Sequence, residues 1–130
     1  MPDTPPDVLA VEAARLLNDY HCTDILIFDV RAMSQVTKYV VIATGTSDRQ
    51  IKALAGHVHQ LAKGHGYQRY GSDHDRESRW IVLDFVEAMV HLFEPATRAF
   101  YDLEMLWGDA PRVKWRREAD GSAPHPKADG

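Results

Sequence analysis

A single cysteine, Cys22, cannot close an internal disulfide. That excludes the disulfide-stapled class of small secreted domains and points to a reducing, cytoplasmic setting. No run of apolar residues is long enough to span a bilayer, so no membrane role is expected. Residues 1–7 are acidic and Pro-rich, unlike the basic and apolar opening of a signal peptide. Excess positive charge is missing too: the net charge is -4, and it is unevenly spread. From Arg112 onward five Lys/Arg stand against three Asp/Glu, a balance of +2, so the preceding body carries -6. An acidic body disfavours direct nucleic-acid binding, which depends on neutralising phosphates. It suits a basic protein partner better.

Marks of catalysis are equally sparse. Two-metal nucleotidyl transfer needs clustered carboxylates, typically a close acid pair on a strand plus a third acid. Asp29 is followed by Val30 and Arg31, so it has no such pair, and Asp84 stands alone on its apolar run. Both read as strand-end aspartates that hydrogen-bond or meet a partner. Seven histidines give no metal-ligand spacing. His57 and His59, two apart on a helix, diverge by about 200°. Cys22 has no neighbour that would mark a nucleophile. The loop Thr44-Gly45-Thr46-Ser47 leads into a helix N-terminus, a place where anions bind. It lacks the spacing and lysine of a P-loop, and a helix end capped by Ser47 is the simpler reading. No catalytic residue, cofactor or metal is expected.

What remains is ordinary globular material, 45% hydrophobic and 26% charged, in 130 residues. One domain with one sizeable core follows. Leu9, Ala13, Leu16, Leu17 and Tyr20 share a face of a helix over residues 8–20. Residues 24–30 and 38–43 are short apolar runs that read as strands buried on both faces. Ser47 and Gln50 have capping-box spacing, and Ile51, Leu54, Ala55, Val58, Leu61 and Ala62 form the stripe of the next helix. Gly64 and Gly66 close it. Residues 67–70 suggest a short strand, and 71–79 a charged loop. Residues 80–85 and 89–93 read as a tight hairpin. Pro95 opens a last helix lined by Phe100, Leu103, Leu106 and Trp107 and stopped by Gly108 and Pro111. The order helix, two strands, helix, three strands, helix predicts an α/β domain with a single mixed sheet of about five strands and helices packed on it.

The hairpin carries the most informative pattern. A two-residue turn at Val86-Glu87 sets Asp84 opposite Met89, Val82 opposite His91, and Trp80 opposite Phe93. Ile81, Leu83, Val90 and Leu92 then share the side that packs on helices. The other side mixes Trp80, Val82, His91, Phe93, Asp84 and Met89, aromatic groups among polar tips. That is the makeup of an interface core with a polar rim, or of a second buried face under a helix.

Three stretches resemble the Iojap-like ribosomal silencing factors: Tyr39-Val40-Val41-Ile42-Ala43-Thr44-Gly45-Thr46-Ser47-Asp48-Arg49-Gln50; Trp80-Ile81-Val82-Leu83-Asp84-Phe85 through Val90-His91-Leu92-Phe93; and Phe100-Tyr101-Asp102-Leu103-Glu104 with Leu106-Trp107-Gly108-Asp109-Ala110-Pro111. The resemblance covers about residues 8–113. It implies a nucleotidyltransferase-like fold lacking the catalytic site. It further implies a non-enzymatic protein that binds a universal large-subunit ribosomal protein at the subunit interface, blocks joining of the small subunit and represses translation. A nucleotide-binding enzyme and a large-subunit biogenesis factor are the alternatives. The resemblance favours the interface reading of the hairpin, with Trp80, Val82, Asp84, Phe85, Glu87, Met89, His91 and Phe93 as partner-binding residues. This chain departs from the family at the hairpin turn, where Val86-Glu87 replaces the usual Gly-Asp. It also has Asp73-His74 in place of Glu-Gly before the tryptophan.

Residues 8–113 are thus expected to form the domain, with 1–7 a flexible N-terminus and 114–130 a disordered tail. The run Arg112-Val113-Lys114-Trp115-Arg116-Arg117 mixes basic and aromatic residues, which fits a solvated tail or a minor contact with ribosomal RNA. A homodimer of the free protein is a further expectation.

Overall fold

A computed structural model describes residues 4–74, 79–101 and 106–117. The elements follow the expected order: α1 (Pro6–Asp19), β1 (Thr23–Asp29), β2 (Tyr39–Thr44), α2 (Asp48–Gly64), β3 (Gly71–His74), β4 (Trp80–Asp84), β5 (Ala88–Phe93) and α3 (Pro95–Tyr101). The strands form one mixed sheet in the order β1-β2-β5-β4-β3. All neighbours run antiparallel except β2 and β5, which are parallel and joined by the crossover through α2. The fold class is the α/β arrangement anticipated above.

Local chemistry places the helix ends. Pro6 at the first turn of α1 starts that helix two residues earlier than its apolar stripe suggests, because its missing N–H costs nothing there. At α2 the Ser47 hydroxyl accepts the Gln50 N–H at 3.1 Å, as a capping box requires. The Gln50 side chain reaches one residue further back than that motif does and accepts the Thr46 N–H. Gly45 is needed beneath this cap. A Cβ there would lie 2.5 Å from the Ile51 side chain and 2.6 Å from that of Gln50. At the other end Gly66 takes φ 86°, the Tyr67 N–H donates to the Ala62 carbonyl at 2.9 Å, and the Gly66 N–H donates to Lys63 at 3.0 Å. This is a Schellman close, for which a left-handed glycine is the natural residue.

The two faces of the sheet are covered differently. On one face α1 and α2 bury Leu9, Ala13, Leu17, Ile51, Leu54 and Val58 against Ile25, Ile27, Val41, Ile81, Leu83, Val90 and Leu92. On the other a smaller cluster gathers Leu26, Phe28, Val30, Val40, Ile42, Phe93 and Ala110, with Trp80 and Trp107 packed at its margin. Strand β2 lies under both and is buried along its whole length. Strand β1 serves both faces by alternation, and its start carries a bulge. Asp24, at φ 49°, is extra there, and the buried Arg98 guanidinium of α3 bonds the Asp24 carbonyl and the Thr44 hydroxyl.

Four expectations are corrected. Residues 67–70 do not form a strand; β3 lies at 71–74, in the stretch read as loop. Tyr20 is 44% exposed, because it sits at the C-cap of α1, and it stacks on His57 at 4.8 Å instead of entering the core. Leu106 is 62% exposed rather than lining α3 with Trp107. The span 102–105, including Leu103, lies outside the described residues.

The largest correction concerns the domain limits. The packed chain runs past Val113 to at least Arg117, and before residue 8 Thr4 bonds His65 and Tyr67. Residues 111–113 pair along the free edge of β1: Asp29 N–H donates to Pro111 at 2.8 Å and Val113 N–H to Ile27 at 2.9 Å. Trp115 is 1% exposed, its indole N–H donates to the Ile25 carbonyl at 3.1 Å, and Arg15 donates to its own carbonyl at 2.7 Å. Arg117 pairs with Asp19 at 2.9 Å. A lone Trp in a charged stretch carries no periodicity, so the sequence offered nothing to mark it as core.

Two stability predictions follow from these contacts. Trp115→Ala, which leaves the tail otherwise intact, is expected to cost about 3–5 kcal/mol in urea unfolding, as buried aromatic truncations do. A loss below about 1 kcal/mol is what a solvated tail would give. At the hairpin turn Val86 adopts φ 71°, and Glu87 N–H donates to Phe85 at 2.9 Å, the pattern of a γ-turn. A β-branched residue is strained in that region. Val86→Gly is therefore expected to raise stability by about 1 kcal/mol, read as a higher denaturation midpoint with unchanged slope.

Candidate partner-binding surface

The register of the β4–β5 pair is the one the two-residue turn dictates: Asp84 opposite Met89, Val82 opposite His91, Trp80 opposite Phe93. Phe85 N–H closes the turn onto the Ala88 carbonyl at 2.9 Å. Along β4 burial alternates strictly, with Ile81 and Leu83 under the helices and Trp80, Val82 and Asp84 half-open on the other side. Period-two alternation on a half-covered sheet produces this pattern.

The eight candidate residues do not all reach the surface. Trp80, Val82, Asp84, Glu87 and Met89 are partly accessible. Phe85 is 2% exposed and belongs to the helix-side core, on the wrong face for the strip. Phe93 is 1% and His91 8% exposed, both beneath the strip. The tertiary reason is that Ala110 joins Phe28, Val30 and Phe93 in the cluster on this face, with Trp107 packed against it. Arg112 lies on the Phe28 ring at 4.8 Å. So β1, β2 and the far end of β5 are roofed, while β4 stays half-open. The two readings of this face each hold for part of it. Trp107 and Arg112 are the residues that sequence reasoning did not connect to it. The signal for Trp107 was the Leu106-Trp107-Gly108-Asp109 segment, whose position over the sheet no local pattern reveals.

Inside the strip the aromatic rings are ordered. Trp80 lies on Phe93 with centroids 5.2 Å apart and planes 16° from parallel. His91 lies beside both, 6.0 Å from Trp80 and 6.4 Å from Phe93. Burial depresses the His91 imidazole to about 4, so it is neutral near pH 7. At the turn the Asp84 carboxylate accepts the Val86 N–H at 2.7 Å. Glu87, expected among the partner-binding residues, is ion-paired with Lys38 at 2.7 Å. Asp84 thus stands as a rim charge of the strip. Two shallow depressions of about 490 and 360 Å³ flank the turn, with the exposed Tyr70, Val86 and Val36 on their walls. Their charged groups Arg31, Lys38 and Glu87 are committed to pairs within the chain.

The other candidates resolve into structure. Asp29 holds Arg31 in a two-point bond at 2.9 and 2.7 Å, which keeps its carboxyl below the usual range. Asp29 pairs with Tyr39, a helix-side residue, whereas Asp84 pairs with Met89 on the far side. The two aspartates therefore lie on opposite faces, with β2 and β5 between their strands, about 14 Å apart by strand spacing. They cannot share metal ions. Among the described residues no three His, Cys, Asp or Glu are grouped to hold a metal, and no helix is long and apolar enough to cross a membrane. Cys22 is buried, which pushes its thiol up to about 11, far from a reactive thiolate. At the start of α2 the Gln50 N–H is taken up by the Ser47 hydroxyl, and the Thr46 N–H just before the helix by the Gln50 side chain.

The described residues thus form an α/β domain whose sheet carries, on the side away from α1 and α2, a half-open aromatic strip. Residues 2–129 match the family described as ribosomal silencing factor during starvation, and the chain belongs to that family. It is 37% identical over 99 residues to the ribosomal silencing factor RsfS of Bacillus subtilis, covering 76% of this chain and 84% of that one. It is 34% identical over 99 residues to the mouse protein named mitochondrial assembly of ribosomal large subunit protein 1, covering 71% of this chain and 42% of that one. Among solved structures, protein CV0518 from Chromobacterium violaceum superposes with a TM-score of 0.76 at 30% identity, over 91% of this chain and 98% of that one.

The two sides of β4 are expected to respond differently to truncation. Leu83→Ala opens a cavity under the helices and should cost about 2–5 kcal/mol. Val82→Ala, on the half-open side, should cost about 1 kcal/mol or less. Urea denaturation of both variants measures the difference, and equal losses would mean that the far face is closed.

Proposed function

We propose that this chain docks through the open strip of β4 and Met89 onto a basic protein of the large ribosomal subunit, at the face where the small subunit would join, and so represses translation in the cytoplasm. The observation that carries this reading is the strip itself. Trp80 offers a large, pre-stacked apolar plate, Val82 and Met89 extend it, and Asp84 supplies an acidic rim. Central aromatic anchors ringed by polar groups are where binding energy concentrates. Membership of the silencing family supports a ribosomal partner, and the name of the mouse relative supports the large subunit. The protein acts by occupancy, not by turnover. Separation of Asp29 and Asp84 onto opposite faces argues against the nucleotidyl-transfer alternative. Contact with RNA by the basic run would have to compete with contacts inside the chain, since Arg116 stacks on Trp115 and Arg117 pairs with Asp19.

Sedimentation with purified subunits tests the proposal. The protein should travel with free large subunits and not with small ones, and should lower the yield of joined ribosomes. Trp80→Ala should weaken large-subunit binding by about 2 kcal/mol or more, and added salt should weaken it further through Asp84. Recovery in both subunit fractions alike would sink the reading. Binding to large subunits with no effect on joining would leave a role in subunit assembly instead.

A further inference from the structure

His91 is a poor contact residue, being 8% exposed beneath the strip, yet its ring is placed to act on the residue that is open. The Trp80 indole N–H donates to His91 Nδ1 at 3.2 Å. An indole nitrogen only donates, so Nδ1 must accept, and the imidazole proton sits on Nε2. Trp80 and His91 are diagonal neighbours on paired strands, in the register Val82 opposite His91 and Trp80 opposite Phe93. Phe93 thus supports the indole from below while His91 fixes its rotation through the N–H. Either contact alone leaves a freedom: stacking permits the indole to slide or flip in its plane, and one hydrogen bond permits it to tilt. A side chain held this way loses less conformational entropy on docking.

We propose that His91 is a positioning residue for the docking surface, which as the acceptor of the Trp80 indole N–H presets the orientation of that ring for the partner. This rests on the reading of Trp80 as a docking anchor. The low pKa of His91 agrees with it, since a neutral ring is needed for Nδ1 to accept.

Two substitutions separate the roles of the imidazole. His91→Phe keeps a stacked ring and removes the acceptor. His91→Asn gives up the ring and places an amide oxygen near the former Nδ1. In ¹⁵N-labelled full-length protein, the Trp80 indole resonance is identified by its loss in Trp80→Phe. It should shift and exchange its proton more than about tenfold faster in His91→Phe, and return toward wild type in His91→Asn. Affinity for purified large subunits should fall about tenfold in His91→Phe. In a Trp80→Phe background, which has no N–H to place, the same substitution should change affinity less than about twofold. An unchanged indole resonance in His91→Phe would overturn the proposal, as would an equal loss of affinity in both backgrounds. Absence of wild-type binding would overturn the docking reading. The indole resonance would still decide whether His91 orients Trp80.

Discussion

The pairing register of β4 and β5 is the constraint on which both faces of the molecule depend. A strand side chain alternates sides with period two, so a slip of one residue would carry Ile81 and Leu83 out from under the helices and put Trp80 and Asp84 into the core. The register is pinned at the turn, where Phe85 closes onto Ala88 and Asp84 caps the Val86 N–H. It is pinned again at the far end, where Trp80 lies on Phe93. Val86 at φ 71° strains that turn, and a valine holds the position because pairing on both sides of it over-determines the backbone.

A sheet between one full layer of helices and one partial cover has an unequal surface. Strand β2, central and parallel to β5, is closed on both sides, and the return segment with Trp107 and Ala110 roofs the region around Phe28. The cover stops short of β4. An aromatic plate therefore meets solvent at the margin of a second core, stiffened by the packing beneath it. Rigid presentation of this kind fits a protein that works by occupying a surface, because little freedom remains to be lost on binding.

One edge of the sheet, that of β1, is handled by the chain itself. An unpaired edge strand invites foreign strands. On β1 the backbone of residues 111–113 occupies it, and Trp115 beyond fastens that segment into the core between β1 and α1. The same contacts draw Arg116 and Arg117 back onto the body, leaving the basic run less available to anionic partners than its composition suggests.

Periodicity and turn chemistry, which are local, were legible in the residues. They determined the order of elements, the cap of α2 at Ser47, the hairpin register and the apolar side of β4. The resemblance of three segments indicated the family to which the chain belongs. Alternation along β4 already sends Phe85 to the helix side. Tertiary structure alone decided which residues of the other side are accessible, because the burial of His91 and Phe93 depends on what lies over them. It alone decided that Trp115 is core, because one buried indole in a charged stretch has no pattern to betray it. Sequence by itself thus set the alternation of faces, a property of each strand. The extent to which each face is covered is a property of the whole chain's path, which no single strand encodes.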